Sequence, residues 1–102
     1  MEKIKEKIKN NLLESAANEL YELIANTAII KSIQYSECFF YLGFVHFKRF
    51  QETEEADLIN KAIMFFEHAD NVYKSLSRKR NSKYTEAIIY AKRYFSSCKL
   101  RT

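Results

Sequence analysis

The 102-residue chain has no proline, no tryptophan and a single glycine, Gly43. Sheet proteins turn their hairpins on glycine, asparagine-glycine pairs and proline, so a β architecture lacks its turn vocabulary here. A glycine-rich phosphate loop is excluded on the same count. Without proline, long helices can run unbroken. Cysteine is scarce as well: Cys38 and Cys98 stand far apart and form neither CxxC nor a metal-ligand spacing. They are expected to be small buried residues in a reducing compartment. The two histidines, His46 and His68, belong to no HExxH or ExxH pattern. His46 lies two helical turns from Cys38, about 12 Å along a helix, too far to share a metal. The serines have no triad context. Glu52, Glu54, Glu55 and Asp57 read as a solvated helix start rather than an acid-base pair. These absences predict a protein that is not an enzyme and uses no metal or cofactor. No apolar stretch approaches the roughly 20 residues of a bilayer span. The N-terminal "MEKIKEKIKNNLLE" also lacks a secretory signal's continuous apolar core. A cytoplasmic protein is the expectation.

Hydrophobic residues make up 47% of the chain, enough for one domain over 1–102 to fold without staples. Their spacing predicts an all-α protein of four antiparallel helices, at about 2–25, 28–50, 54–76 and 83–99. The first carries Ile4, Ile8, Leu12, Leu13, Ala16, Ala17, Leu20, Leu23 and Ile24 in one stripe. Asn26-Thr27 is its expected break, and Thr53 the expected cap of the third helix. That helix has the cleanest seam: Ile59, Ala62, Phe66, Ala69, Tyr73 and Leu76, alternating three and four apart. The polar run "SRKRNSK" over 77–83 is a loop, with Asn81 or Ser82 capping the fourth helix.

Gly43 sits inside "CFFYLGFVHF", residues 38–47, where a helix interior loses roughly 1 kcal/mol to glycine. In the second helix Phe39, Leu42, Gly43 and His46 follow one another at three, one and three. In the third, Ala62, Phe66 and Ala69 follow at four and three. This resembles the tetratricopeptide repeat. Its first helix carries a large aromatic, a leucine-glycine pair and a further aromatic. Its second carries alanine, an aromatic and alanine at these spacings. The resemblance covers about residues 38–70, a single imperfect repeat. About seven extra residues separate its halves relative to the usual 34-residue unit, and histidine replaces the usual tyrosine at position 46. It implies a right-handed arrangement of paired helices with Gly43 as a close-packing position. A generic four-helix bundle is the alternative.

In repeats of this kind the first helix lines the concave surface, which here implies Glu37, Phe40, Phe44, Phe47 and Lys48 as partner-binding residues. The family's basic clamp for a C-terminal carboxylate is missing at those positions. The aromatic excess of the second helix has two readings: core, if neighbours cover both its flanks, or an open groove. The groove reading gives a non-enzymatic protein-protein interaction module, an adaptor, small chaperone or assembly subunit. It would take an apolar or amphipathic segment, or self-associate as a homodimer.

Charge supplies a competing reading. Residues 74–102 hold nine basic side chains against Glu86 alone, +8, while residues 1–73 hold eight basic and twelve acidic, −4. Arg78, Lys79, Arg80, Lys83, Lys92 and Arg93 would then grip nucleic-acid phosphates, with Tyr84, Tyr90 and Tyr94 stacking on bases. The same charges also suit the solvated end of a helical hairpin.

Overall fold

Residues 1–26, 32–77, 79 and 81–100 are described by the structure, a computed structural model, without the side chains of Lys99 and Leu100. Five α-helices and no strand occur among them: α1 (Glu2–Lys9), α2 (Leu13–Ala25), α3 (Ile33–Thr53), α4 (Ala56–Ser77) and α5 (Ser82–Leu100). No helix among the described residues is long and apolar enough to cross a membrane.

The expected first helix is two helices. Ile4 and Ile8 are buried one turn apart on α1, whose first turn carries Glu2 and last turn Lys7 and Lys9, each matched to the helix dipole. Asn11 then takes a left-handed conformation, φ 63°. Its amide donates to the Ile8 carbonyl (3.1 Å), and the Leu12 amide donates to Lys7 (2.8 Å). That crossed pair of bonds is a Schellman stop, and asparagine adopts it at low steric cost. α2 folds back on α1, held by the Lys7 ammonium, which reaches Glu19 at 2.6 Å and the Ser15 hydroxyl at 2.9 Å.

α3 and α4 form the central antiparallel pair, as their contacts show: Phe39 meets His68, while Gly43 faces Ala62 and Phe66. A Cβ on Gly43 would stand 2.5 Å from two carbons of the Phe66 ring and 3.1 Å from the Ala62 carbonyl oxygen. Of the seam residues, Ile59, Ala62, Phe66 and Ala69 are buried, Tyr73 is half-buried and Leu76 is exposed. Thr53 ends α3 instead of capping α4. Its hydroxyl donates to the Arg49 carbonyl and accepts the Glu55 amide, bridging the short link between the helices. Glu54 stops α3 in a left-handed conformation, its amide bonded to the Phe50 carbonyl at 2.7 Å.

The expected caps at the other two junctions fare differently. Asn81 does cap α5, its side-chain oxygen accepting the Lys83 amide at 3.0 Å. Residues 27–31, with Thr27 and the start of the expected second helix, lie outside the described residues.

α5 runs parallel to α3 and packs across it. Phe40 stacks on Tyr84, Phe47 meets Tyr90 and Tyr94, and Phe50 meets Tyr94 and Phe95, both series rising together. α1 follows α3 on another side: the Lys5 ammonium lies 5.6 Å from the Tyr41 ring centre, and Asn11 donates to Glu52 at 2.7 Å. α3 therefore touches α1, α2, α4 and α5, with α4 its main partner, in a slab of 44 × 30 × 19 Å.

Candidate interaction groove

Where α5 crosses α3, their facing side chains differ sharply in size. α3 presents phenylalanines at 40, 44 and 47, spaced four and three so that all share one face. α5 answers with Ala87, too small to fill the space between them. The result is an open cavity of about 330 Å³, lined by Phe40, Phe44, Phe47, Phe66, Lys83, Glu86, Ala87 and Tyr90. Its size is at the lower end of ligand pockets, and its walls are almost wholly apolar.

The rings divide into floor and rim. Phe40 (1% exposed), Phe66 and Phe47 (7%) form the floor, while Phe44 (37%) and Tyr90 (60%) stand at the rim. Phe44 packs edge-on against Phe40 and Phe66, with centres 5.2 and 5.8 Å away, so the rim ring is held by the floor. Lys83 lies across one end. Its Nζ is 5.1 Å from the Phe40 ring centre, 5.6 Å from that of Tyr41, and 3.5 Å from the Tyr41 hydroxyl. An ammonium over ring faces is attracted by their negative quadrupoles.

Of the five residues expected to bind a partner, Phe40, Phe44 and Phe47 line this one cavity, while Glu37 and Lys48 do not. Two corrections follow from burial. Phe40 and Phe47 are core side chains covered by α5, and of the three only Phe44 offers substantial surface. Lys48 is used internally, its Nζ donating at 2.9 Å to the Ile8 carbonyl, the same oxygen that accepts the Asn11 amide at the end of α1. The close-packing residues Leu42, Gly43, His46, Ala62, Phe66 and Ala69 are buried, and Phe39 is half-buried between Tyr35, Phe65 and His68. Phe66, Glu86, Ala87 and Tyr90 complete the groove without having been expected in it. The readable signal was an alanine on the fourth helix opposite three phenylalanines on the second.

The described residues of the nucleic-acid reading divide between buried and exposed positions, with Tyr90 exposed and Tyr94 half-buried. Tyr84 is buried, its hydroxyl 3.2 Å from that of Ser36, which itself donates to the Ile33 carbonyl. Burial pushes the Tyr84 phenol upward. A ring in this position is not available to stack on a base. Lys79, Lys92 and Arg93 are exposed, Lys83 leans over the groove, and Arg78 and Arg80 lie outside the described residues.

The reactive side chains are dispersed. Cys38 is fully buried, and burial raises its thiol to about 11, where it is a poor nucleophile. Among the described residues no three His, Cys, Asp or Glu side chains converge as metal ligands would.

His46 is buried against Phe65, and its Nδ1 donates to the Leu42 carbonyl at 2.8 Å. Burial lowers its pKa, opposed by that bond and assisted by Arg49 and Lys61. The unfolded chain therefore binds the proton more tightly. The stability His46 contributes is complete above about pH 6.5 and is lost as pH falls through the lower folded value. Urea unfolding between pH 7.5 and 5.5 (about the His range) is expected to show a larger loss of stability for the native chain than for His46→Phe. An equal loss in both would remove the assignment.

Comparison with protein-family models, with curated proteins and with solved structures finds no match to this chain.

Proposed function

We propose that the protein is a non-catalytic interaction module that receives an amphipathic helical segment of a protein partner in the groove between α3 and α5. The observation that carries this reading is the pair of rim aromatics, Phe44 and Tyr90, standing exposed over a floor of buried rings with open space between them. A single large side chain seated there would exclude water from both rims, and aromatic residues dominate the energetics of such contacts. The architecture supports the tetratricopeptide-like reading. α3 and α4 are a closely apposed hairpin around Gly43, and α5 lies parallel to α3 as the first helix of a following unit would. In that reading the groove, lined by α3 and α5, occupies the surface that first helices of such repeats line. Such a module would serve as an adaptor or assembly subunit.

The test uses a fluorescein-labelled helical peptide with leucine and tryptophan on one face and uncharged glutamine on the other. Anisotropy should report saturable binding to the full chain. Phe44→Ala combined with Tyr90→Ala should weaken it about tenfold or more, with the helical circular dichroism unchanged. Failure to bind, or binding indifferent to both substitutions, would remove the groove as a docking site. Sedimentation in the same buffer reports whether a second copy already occupies it.

A further inference from the structure

Resting on the groove reading just given, we infer that the segment it receives is acidic: an amphipathic helix carrying carboxylates toward Lys83 and Arg93 on either side of its apolar anchor. The argument starts from charge. The ion pairs among the described residues join Lys5 to Glu2, Lys7 to Glu19 and Lys74 to Asp70, so Lys83, Lys92 and Arg93 of α5 have no carboxylate partner among them. Lys83 rests on the Phe40 and Tyr41 rings at the groove mouth. Arg93 is exposed one turn beyond Tyr90, on the same side of α5. Glu86 lies between them and is the only acidic residue from position 74 to the end of the chain.

A carboxylate arriving at Lys83 meets an ammonium already partly shielded from water by aromatic faces. A charge-assisted hydrogen bond there is stronger than on an open surface. The positions of the cations also specify spacing. Ten residues separate Lys83 from Arg93, about 15 Å along the helix. The matching carboxylates are therefore about three turns apart on the docked segment, with an uncharged or basic residue facing Glu86. The same charge argues against a second copy of this chain as the occupant. Pairing two α5 edges would oppose two segments that each carry +8 over residues 74–102. A nucleic-acid strand would find the cations and the exposed Tyr90 ring, but not Tyr84, which is buried, or the whole of Tyr94, which is half-buried.

Three labelled helical peptides sharing one leucine-tryptophan face, with glutamate, glutamine or lysine on the other, separate the possibilities on the full chain. The acidic peptide is expected to bind about tenfold or more tighter than the neutral one, and the basic one weakest. Raising salt from low to about 0.3 M should shrink the acidic peptide's advantage and leave the neutral peptide nearly unaffected. Arg93→Glu, at a residue outside the groove's lining, should reduce that advantage while the neutral peptide's affinity holds, and Lys83→Glu should reduce the acidic peptide's affinity by at least as much. Equal affinity for acidic and neutral peptides would overturn this inference and leave the groove reading standing. Failure of all three peptides to bind would overturn both. A labelled single-stranded oligonucleotide binding more tightly than the acidic peptide, with Lys83→Glu abolishing it, would reassign the surface to nucleic acid. A stable dimer that the acidic peptide fails to dissociate would reassign it to a second copy. Either result overturns the inference.

Discussion

Gly43→Leu is expected to leave the chain largely unfolded, and Gly43→Ala to destabilise it by about 1–2 kcal/mol. The sign of the alanine result is what matters. In an unrestrained helix interior, replacing glycine by alanine gains about 1 kcal/mol from the backbone alone. Here the new Cβ would stand 2.5 Å from Cδ1 and Cε1 of Phe66, far inside contact distance, and 3.1 Å from a backbone oxygen of Ala62. Phe66 is itself buried, with the Phe40 and Phe44 rings centred 5.5 and 5.8 Å away, so its ring yields only by moving toward the groove. Overpacking of this kind costs about 1–3 kcal/mol for a methyl and more for a branched side chain. A domain of this length has only about 5–15 kcal/mol in hand. The coupling is separable: in a Phe66→Leu background the alanine substitution should turn neutral or stabilising. Urea unfolding of the four chains measures it. A stabilising Gly43→Ala in the native background would mean the two helices are not in contact at this point.

That contact was legible because it is encoded locally on each helix. A glycine among large residues and an alanine-phenylalanine-alanine seam are complementary shapes even before the two helices are placed together. The close-packed face of the α3–α4 pair follows from those shapes. The split of the first helix was harder to read, since its apolar stripe continues through Leu12 and Leu13 without losing phase. The break is made by Asn10 and Asn11, and the pair could have been read as a stop, because asparagine tolerates the left-handed backbone that Asn11 adopts. Lys48 acts at that break, sharing the Ile8 carbonyl with the Asn11 amide of the helix stop. Thr53 was misplaced by a few residues because a threonine near a helix junction can serve either side. Here its hydroxyl serves both.

The groove could be read only halfway. The aromatic face of the second helix was evident from spacing. Its division into floor and rim depends on how far α5 reaches across α3, and that is set by contacts between residues more than forty positions apart in the chain, such as Phe40 with Tyr84 and Phe47 with Tyr90.

That division makes a second large effect measurable, because Phe40 and Phe44 are one helical turn apart and chemically identical. Phe40→Ala is expected to cost about 3–5 kcal/mol, as for a buried phenylalanine whose removal leaves a hole. Phe40 is 1% exposed and holds ring contacts to Tyr41, Phe44, Phe66 and Tyr84, so its loss unseats α5 from α3. Phe44→Ala, at 37% exposure, should cost under about 1.5 kcal/mol, since much of its surface already faces water and its loss widens an open cavity instead of creating a closed one. Chemical denaturation of the two variants beside the native chain gives both values, and peptide binding is then read only in the variant that remains folded. A binding defect in Phe40→Ala says nothing about docking, because the platform is gone. The same defect in a folded Phe44→Ala identifies the rim as the contact. Equal and large costs at both positions would mean that the Phe44 ring is sealed in solution. The space between α3 and α5 would then be interior, and no segment would dock there.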